Sequence, residues 1–312
     1  MRLEYRIKIV YCRHVRAWKI RIPGRAPVGQ ETIDLGAGLE IWDFLNPTAF
    51  LIAALVFVPL ERITALYKNQ KILRKHWKND LVFVVINKII IKASLISIFG
   101  LFLATLYHLI PDFIHEYVFS QPLWLQIIEI IILSDTCYYF THRAFHEIPV
   151  LWRFHSIHHS VEEMDWVAAH RIHPLDQIIA QTASLLPVFA LGFSAPAIIT
   201  YSFIFQYQTL LIHSNTKISF GPLKWVFASP QFHHWHHGDQ PEAYNKNFAA
   251  QLPFIDLLFG TLHLPGNKMP EKYGIEDKLP TRYHQQFIYP FLKKSSAENS
   301  PAEPASQTRV ET

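Results

Sequence analysis

The sequence predicts an all-α fold: a polytopic membrane helical bundle of about four to five membrane segments with a cytosolic, histidine-rich helical cap. Three observations predict it. Half of the 312 residues are hydrophobic and only 17% are charged, against about 25% in an average soluble chain. Charge sits in discrete blocks, and the stretches between the blocks are nearly bare of it. Most of the 18 histidines fall in clusters just outside the apolar stretches.

Four regions follow from the pattern. Residues 1–45 form a basic N-terminal segment, with eight Lys/Arg against one acid in the first thirty positions. Its start, "MRLEYRIKIVYCRH", has an apolar run too short and too interrupted for a secretory signal. An uncleaved membrane protein is therefore expected. Cys12 and Cys137 are far apart and make neither a disulfide framework nor a thiolate zinc site. A second basic patch, "YKNQKILRKHWKND" (67–80), adjoins apolar spans. There it reads as a positive-inside signal, and no nucleic-acid partner is expected.

Residues 46–140 hold the N-terminal membrane segments. "NPTAFLIAALVFVPL" (46–60) is short and ends at Glu61-Arg62. "ASLISIFGLFLATLYHLI" (93–110) follows a partly apolar run containing Lys88 and Lys92, and "QPLWLQIIEIIILSDTCYYF" spans about 121–140. Residues 141–265 contain most of the histidines and a helical membrane hairpin at about 175–212. Its arms are 177–193 and 195–212, with a break at "GFSAP" (192–196). A crossing helix needs about 20 residues; 93–110, 121–140 and 195–212 come close, while 46–60 and 177–193 are marginal.

A hairpin returns the chain to the face it left, so the histidines before it (142–173) and after it (213–237) meet on one side. Placing the basic loop 61–80 in the cytosol puts that side, and the active site, on the cytosolic face of a multi-pass protein. The basic N-tail also favours the cytosol, so residues 46–60 either cross against the rule or are re-entrant or interfacial. Residues 266–312 form a C-terminal extension whose composition predicts disorder from about Lys293.

The histidines fall into His142 and His146 in "HRAFH"; His155, His158 and His159 in "HSIHH"; and His233, His236 and His237 in "HHWHH". The last two share the spacing H-x-x-H-H. Helical residues three and four apart lie on one face, so each cluster is expected to aim its imidazoles at a common point. Imidazole suits zinc, copper, iron and nickel. Eight nitrogens exceed what one ion can use, so two metal ions are the natural count. A lone histidine, such as His14, His76, His108, His115, His263 or His284, is read as an ordinary interface or core group.

Other metal chemistries find no pattern here. The sequence has no H-E-x-x-H, no C-x-x-C and no Glu-x-x-His, which removes the zincin protease, the deaminase and the soluble carboxylate-bridged di-iron bundle. A membrane metal transporter or binding protein would place ligands at mid-membrane depth, and a bis-histidine haem protein would show isolated histidines facing each other within spans. An all-histidine, dinuclear site at a membrane surface fits the clusters better. Ligating imidazoles need acceptors for their other N–H; Asp135, Glu147, Glu162, Glu163 and Asp165 are the candidates.

The ordered motifs "HRAFHE…LWRFHSIHHS…HRIHPLD…LIHSN…FHHWHH…NKNF…DLLFGT" resemble the fatty acid hydroxylase/sterol desaturase superfamily of membrane-bound di-iron oxygenases. The likeness runs from about Asp135 to Thr261. It adds His213, in "LIHSN", and His173, in the H-P pair before the hairpin, to the ligand set. His170 and His234 remain extras beside matched positions.

What the resemblance implies is two Fe ions held by His142, His146, His155, His158, His159, His173, His213, His233, His236 and His237. It also implies O2 as cosubstrate and a lipid as substrate, hydroxylated or desaturated. Electrons would come from NAD(P)H through a separate carrier, a b-type cytochrome or a ferredoxin with its reductase. Two departures are visible. Thr209 stands where some members carry a further histidine, four residues before His213, and Ile255 replaces the tryptophan usual before "DLLFGT".

Overall fold

The computed structural model describes residues 8–12, 17–21, 33–34 and 47–292. The tail expected to be disordered from Lys293 lies outside the described residues.

The all-α expectation needs one correction. Within the basic N-terminal segment, β1 (Lys8–Cys12), β2 (Ala17–Arg21) and β3 (Ile33–Asp34) pair antiparallel in that order. Ile9 lies opposite Ile20, and Tyr11 opposite Trp18. The β-branched and aromatic residues of "KIVYC" and "AWKIR" suit a pleated ladder better than a helix.

From Pro47 onward the described elements are helical. α1 (Pro47–Ile63) and α2 (Trp77–Leu109) come first, then the short α3 (Asp112–Ser120) and α4 (Leu123–Glu147). α5 (Pro149–His159) follows almost without a gap because Pro149 cannot continue the hydrogen-bond ladder of α4 but suits a first helical turn. A 3-10 turn, Trp166–His170, leads to α6 (Pro174–Leu191) and α7 (Ala195–His213). α8 (Pro230–His236), α9 (Pro253–Leu258) and α10 (Tyr283–Ile288) complete the described helices.

Among the described residues, two helices are long and apolar enough to cross a membrane: α2, with 33 residues, and α4, with 25. The expected segment 93–110 proves to be the second half of one continuous helix. At about 1.5 Å per residue α2 is about 50 Å long, well beyond the roughly 30 Å hydrocarbon core. Val85, Ile89, Leu101 and Leu109 along it are all exposed. Large exposed apolar surface marks a membrane or partner contact. The hairpin arms α6 and α7 are present with the break where the sequence puts it, at 18 and 19 residues.

That break has a physical cause. Gly192 ends α6 in the left-handed region, at φ +78°, and a Cβ there would lie 3.3 Å from the His115 ring. The Ser194 amide then donates to Gln126 Oε1 at 2.9 Å, fixing the turn to the start of α4.

α4 packs against both α6 and α7, and α2 packs against α6. Leu95 and Phe99 of α2, Ile130 of α4, Leu185 and Val188 of α6, and Ile198 and Tyr201 of α7 share one apolar core. A second core, with Tyr139, Ile212, Phe232, Phe248 and Ile255, lies beneath the histidines. α1 docks on the outside through Phe57, whose ring stacks at 6.1 Å on Trp166. Its terminal Glu61 is buried and accepts the amides of Trp166 at 2.8 Å and Asn215 at 2.9 Å. That carboxylate ties α1, the segment before α6 and the end of α7 at one point.

Candidate metal centre

The apolar run of α4 continues without interruption into "THRAFHE", so His142 and His146 stand on the last turns of a bundle helix. α5 presents His155, His158 and His159, the end of α7 presents His213, and α8 presents His233 and His236, with His237 at its C-terminal cap. The hairpin brings these four helices to one place.

Nine of the ten expected histidines come together there, in two groups. His142, His146, His155, His159 and His236 form one; His158, His213, His233 and His237 form the other. Within each, one ring nitrogen per residue lies within 4.8 Å of all the rest. Nitrogens about 2.1 Å from one ion lie at most about 4.2 Å apart, so a small inward movement of the outermost rings would close each group around an ion.

The grouping differs from the expected one in a specific way. Neither H-x-x-H-H box aims at a single point. His155 and His159, four apart, face the five-histidine group, while His158 faces the other; His233 and His237 face the four-histidine group, while His236 faces the first. At about 100° of rotation per residue, neighbouring histidines diverge, and positions four apart converge. Each box therefore gives a pair to one group and a single ring to the other.

The tautomers of several rings are set by what their Nδ1 atoms meet. A carbonyl only accepts, so Nδ1 carries the proton wherever it bonds one. His142 donates to Phe248 O at 2.7 Å, His158 to Arg171 O at 3.0 Å, His213 to Thr209 O at 2.7 Å, and His236 to Lys246 O at 2.9 Å. Their Nε2 atoms are then bare lone pairs.

Those lone pairs face one another. The case is plain for His158 and His213, both protonated at Nδ1, whose Nε2 atoms approach at 3.2 Å; His142 Nε2 also lies 2.9 Å from His155 Nε2. Protons do not relieve the repulsion: burial pushes His158 down to about 4 and holds His155, His159, His233, His236 and His237 well below the usual imidazole range. His146 Nε2 is buried without a protein hydrogen-bond partner. Neutral, buried, convergent nitrogens fit metal cations.

The acceptors foreseen from sequence are not the ones used. His155 Nδ1 pairs with Asp176 Oδ2 at 2.7 Å, both groups being buried. Asp176 sits in the first turn of α6, where an acid reads as a helix-terminus residue; nothing in the sequence separated the two roles. Asp135 instead receives the amides of Ala250, Gln251 and Leu252. Glu147 pairs with Arg143, Glu162 with Lys75, and Asp165 with Arg74. Glu163 accepts from the Lys75 amide.

The motifs "NKNF" and "DLLFGT" now have a shared task. Phe248 and Lys246 supply carbonyls to His142 and His236, and their loop is held from below. Asp256 accepts the Phe248 amide at 2.7 Å, the Ala249 amide at 2.8 Å and the Thr261 hydroxyl at 2.6 Å. Asn247, at φ +59°, donates to Phe232 O and His263 O and accepts the His263 amide. Ile255, in place of the tryptophan, is buried in the core below. Thr209 contributes its carbonyl to His213, not its side chain.

His173 is not brought into either group. Its Nδ1 accepts the Leu175 amide at 3.0 Å as an N-cap of α6, and its Nε2 donates to Phe287 O at 3.1 Å. With both nitrogens engaged it has no lone pair to offer. His234 is likewise structural, bonding Tyr273 and Ser214 O. His170 stays outside both groups.

Fold and site together define a helical protein with two adjacent, buried, all-histidine groups at the ends of long apolar helices. Residues 127–261 match the fatty acid hydroxylase family, so the family recognised in the histidine boxes is borne out over the stretch that builds the site. The chain is 27% identical to an ornithine lipid hydroxylase of Rhizobium tropici, over 78% of this chain and 76% of that one. It is 30% identical to an alkylglycerol monooxygenase of Xenopus tropicalis over 47% of this chain, a match that spans only 32% of that protein. A Dictyostelium discoideum protein named for methylsterol monooxygenase activity is 26% identical over 68% of this chain and 77% of its own length. No solved structure matches. These relatives are named as lipid hydroxylases or monooxygenases.

Proposed function

We propose that the protein is a membrane-bound di-iron lipid oxidase that uses O2 to hydroxylate an unactivated C–H bond of a membrane lipid. The observation that carries this is the pair of adjacent histidine groups, whose tautomers leave convergent bare nitrogens. Iron is the assignment because imidazole suits it and the related proteins are named as hydroxylases and monooxygenases. When bound, two irons supply the reductive activation of O2 that breaks the C–H bond. For hydroxylation the balance is lipid C–H plus O2, two electrons and two protons, giving the alcohol and water; loss of a second hydrogen would give an alkene instead.

The chain's own residues supply placement and dryness. His142, His146, His155, His159 and His236 would hold one ion and His158, His213, His233 and His237 the other. The Phe248, Arg171, Thr209 and Lys246 carbonyls keep His142, His158, His213 and His236 aimed through Nδ1–H, and Asp176 pairs with His155. The apolar core under α8 keeps water from the far side. The name of the Rhizobium tropici relative makes an acyl lipid with a polar headgroup the first substrate to test.

In this reading α6 and α7 cross the bilayer with α2 and α4, and the histidine cap lies on the cytosolic face. Electrons come from NAD(P)H through a separate carrier protein. The histidine groups sit at the helix ends, with most Nδ1 atoms fixed by hydrogen bonds. That rigidity suits a resident centre, not a transport path.

The test is elemental analysis of purified protein together with O2 uptake on reductant and membrane lipid. About two irons per chain and lipid-dependent uptake are expected. Stoichiometric zinc without O2 consumption would overturn the assignment.

A further inference from the structure

The basic patch 67–80 does more than set orientation, because one of its cations is buried. Arg74 is 1% exposed at its side chain, and Asp80, on the first turn of α2, is fully buried. Arg74 Nη2 pairs with Asp80 Oδ2 at 2.6 Å, and Arg74 Nε with Asp165 Oδ2 at 2.8 Å. Asp80 in turn takes a bidentate pair from Arg171, Nε to Oδ1 at 2.5 Å and Nη2 to Oδ2 at 3.0 Å. Two arginines and two aspartates thus form a neutral, buried chain. Such a chain costs desolvation and holds geometry more than it adds stability.

What it holds is specific. Arg171 is the residue whose carbonyl receives His158 Nδ1–H at 3.0 Å. A planar guanidinium gripped at two points by one carboxylate cannot swing, so the backbone behind it is fixed. His158 is the single ring that α5 gives to the four-histidine group. The other two rings of α5 are held by other means: His155 has Asp176, and His159 lies among rings of the five-histidine group.

We propose that the Asp80–Arg171 pair is a positioning device for His158, selectively governing metal retention at the four-histidine group. This rests on the metal-site reading above, and the experiment separates the two.

Full-length protein in detergent is loaded with 57Fe, then assayed for iron per chain and by Mössbauer spectroscopy. Two charge-neutral double variants are compared. Asp80→Asn with Arg171→Gln removes the positioning pair and leaves Arg74 with Asp165. Arg74→Gln with Asp165→Asn removes the other pair and leaves Asp80 with Arg171. The first should weaken one of the two irons by about 10–100-fold, the range for lost outer hydrogen-bond partners, and remove one spectral component. The second should keep both irons.

Equal iron loss from both double variants, or full iron in both, overturns the proposal. If the first variant does not fold, Arg171→Lys decides: it keeps the charge but not the bidentate grip, and should lower occupancy of one site only. Wild-type occupancy of both sites in Arg171→Lys would then overturn it. Wild-type protein that binds no iron at all would instead sink the di-iron assignment itself.

Discussion

At the scale of single residues, a histidine's role in this protein is decided by its Nδ1 partner. His142 and His173 are both buried and both expected ligands from their sequence motifs, yet one offers a lone pair and the other spends it on an amide. His142→Ala should therefore cost the iron of the five-histidine group. His173→Ala should retain two irons while losing about 0.5–2 kcal/mol of stability as a deleted N-cap; iron analysis and thermal unfolding of the pair check both halves. Asp176→Asn is a finer probe. It keeps the shape beside His155 but replaces the carboxyl with an amide, and metal affinity should fall about 10–100-fold, read by chelator competition.

Elements explain why the site holds together. The Asn245–Ala249 loop is suspended between α4 and α8, and its two carbonyls aim rings from both. Asp256 accepts three hydrogen bonds from that loop and from Thr261. Asp256→Asn would set an amide NH2 against a backbone N–H, leaving a buried donor without an acceptor at a cost of about 1–3 kcal/mol. Lower thermal stability and lower iron content should appear together. An unchanged iron content would mean that the loop does not depend on this carboxylate.

Much at this scale was legible in the sequence. Spacing located the boxes, and the break at Gly192 located the hairpin that joins them. What spacing hid was the division of each box, since H-x-x-H-H looks like one face until the 100° between neighbours is set against two targets. The acceptors were also hidden. For His142, His158, His213 and His236 the Nδ1 partners are backbone carbonyls, which carry no residue type to read, and Asp176, beside His155, resembles an ordinary helix-start acid. The basic patch misled in part, because Arg74 is indistinguishable in sequence from the exposed lysines around it. The N-terminal strands are five residues or shorter and lie in a basic segment, too short for a periodic signal to stand out from its charge.

For the whole molecule, two expectations follow. His158 and His234 are both pushed down to about 4 by burial, while unfolded histidine titrates near 6.5. Below about pH 6.5 the unfolded chain takes up protons that the folded chain refuses, so stability is lost as pH falls toward 4. Metal-free protein should show its melting temperature dropping through that window, with metal loading opposing the drop. The second concerns depth. A spin label at Leu101→Cys, at an exposed position of α2, should be relaxed by O2 and shielded from a water-soluble nickel chelate. A label at Lys68→Cys should behave oppositely. Equal chelate access at both positions would argue against α2 as a span.

The sharing of each box between both groups also bears on the order of events during synthesis. No ion can collect its full set of imidazoles from α4 and α5 alone, because each group waits for a ring from α8. Translation at about 5–20 residues per second puts several seconds between the emergence of His142 and that of His237. Through that interval the nascent chain displays only part of either histidine group. If the two groups hold metal as proposed, loading follows only after the ribosome has passed the last box and the hairpin has closed.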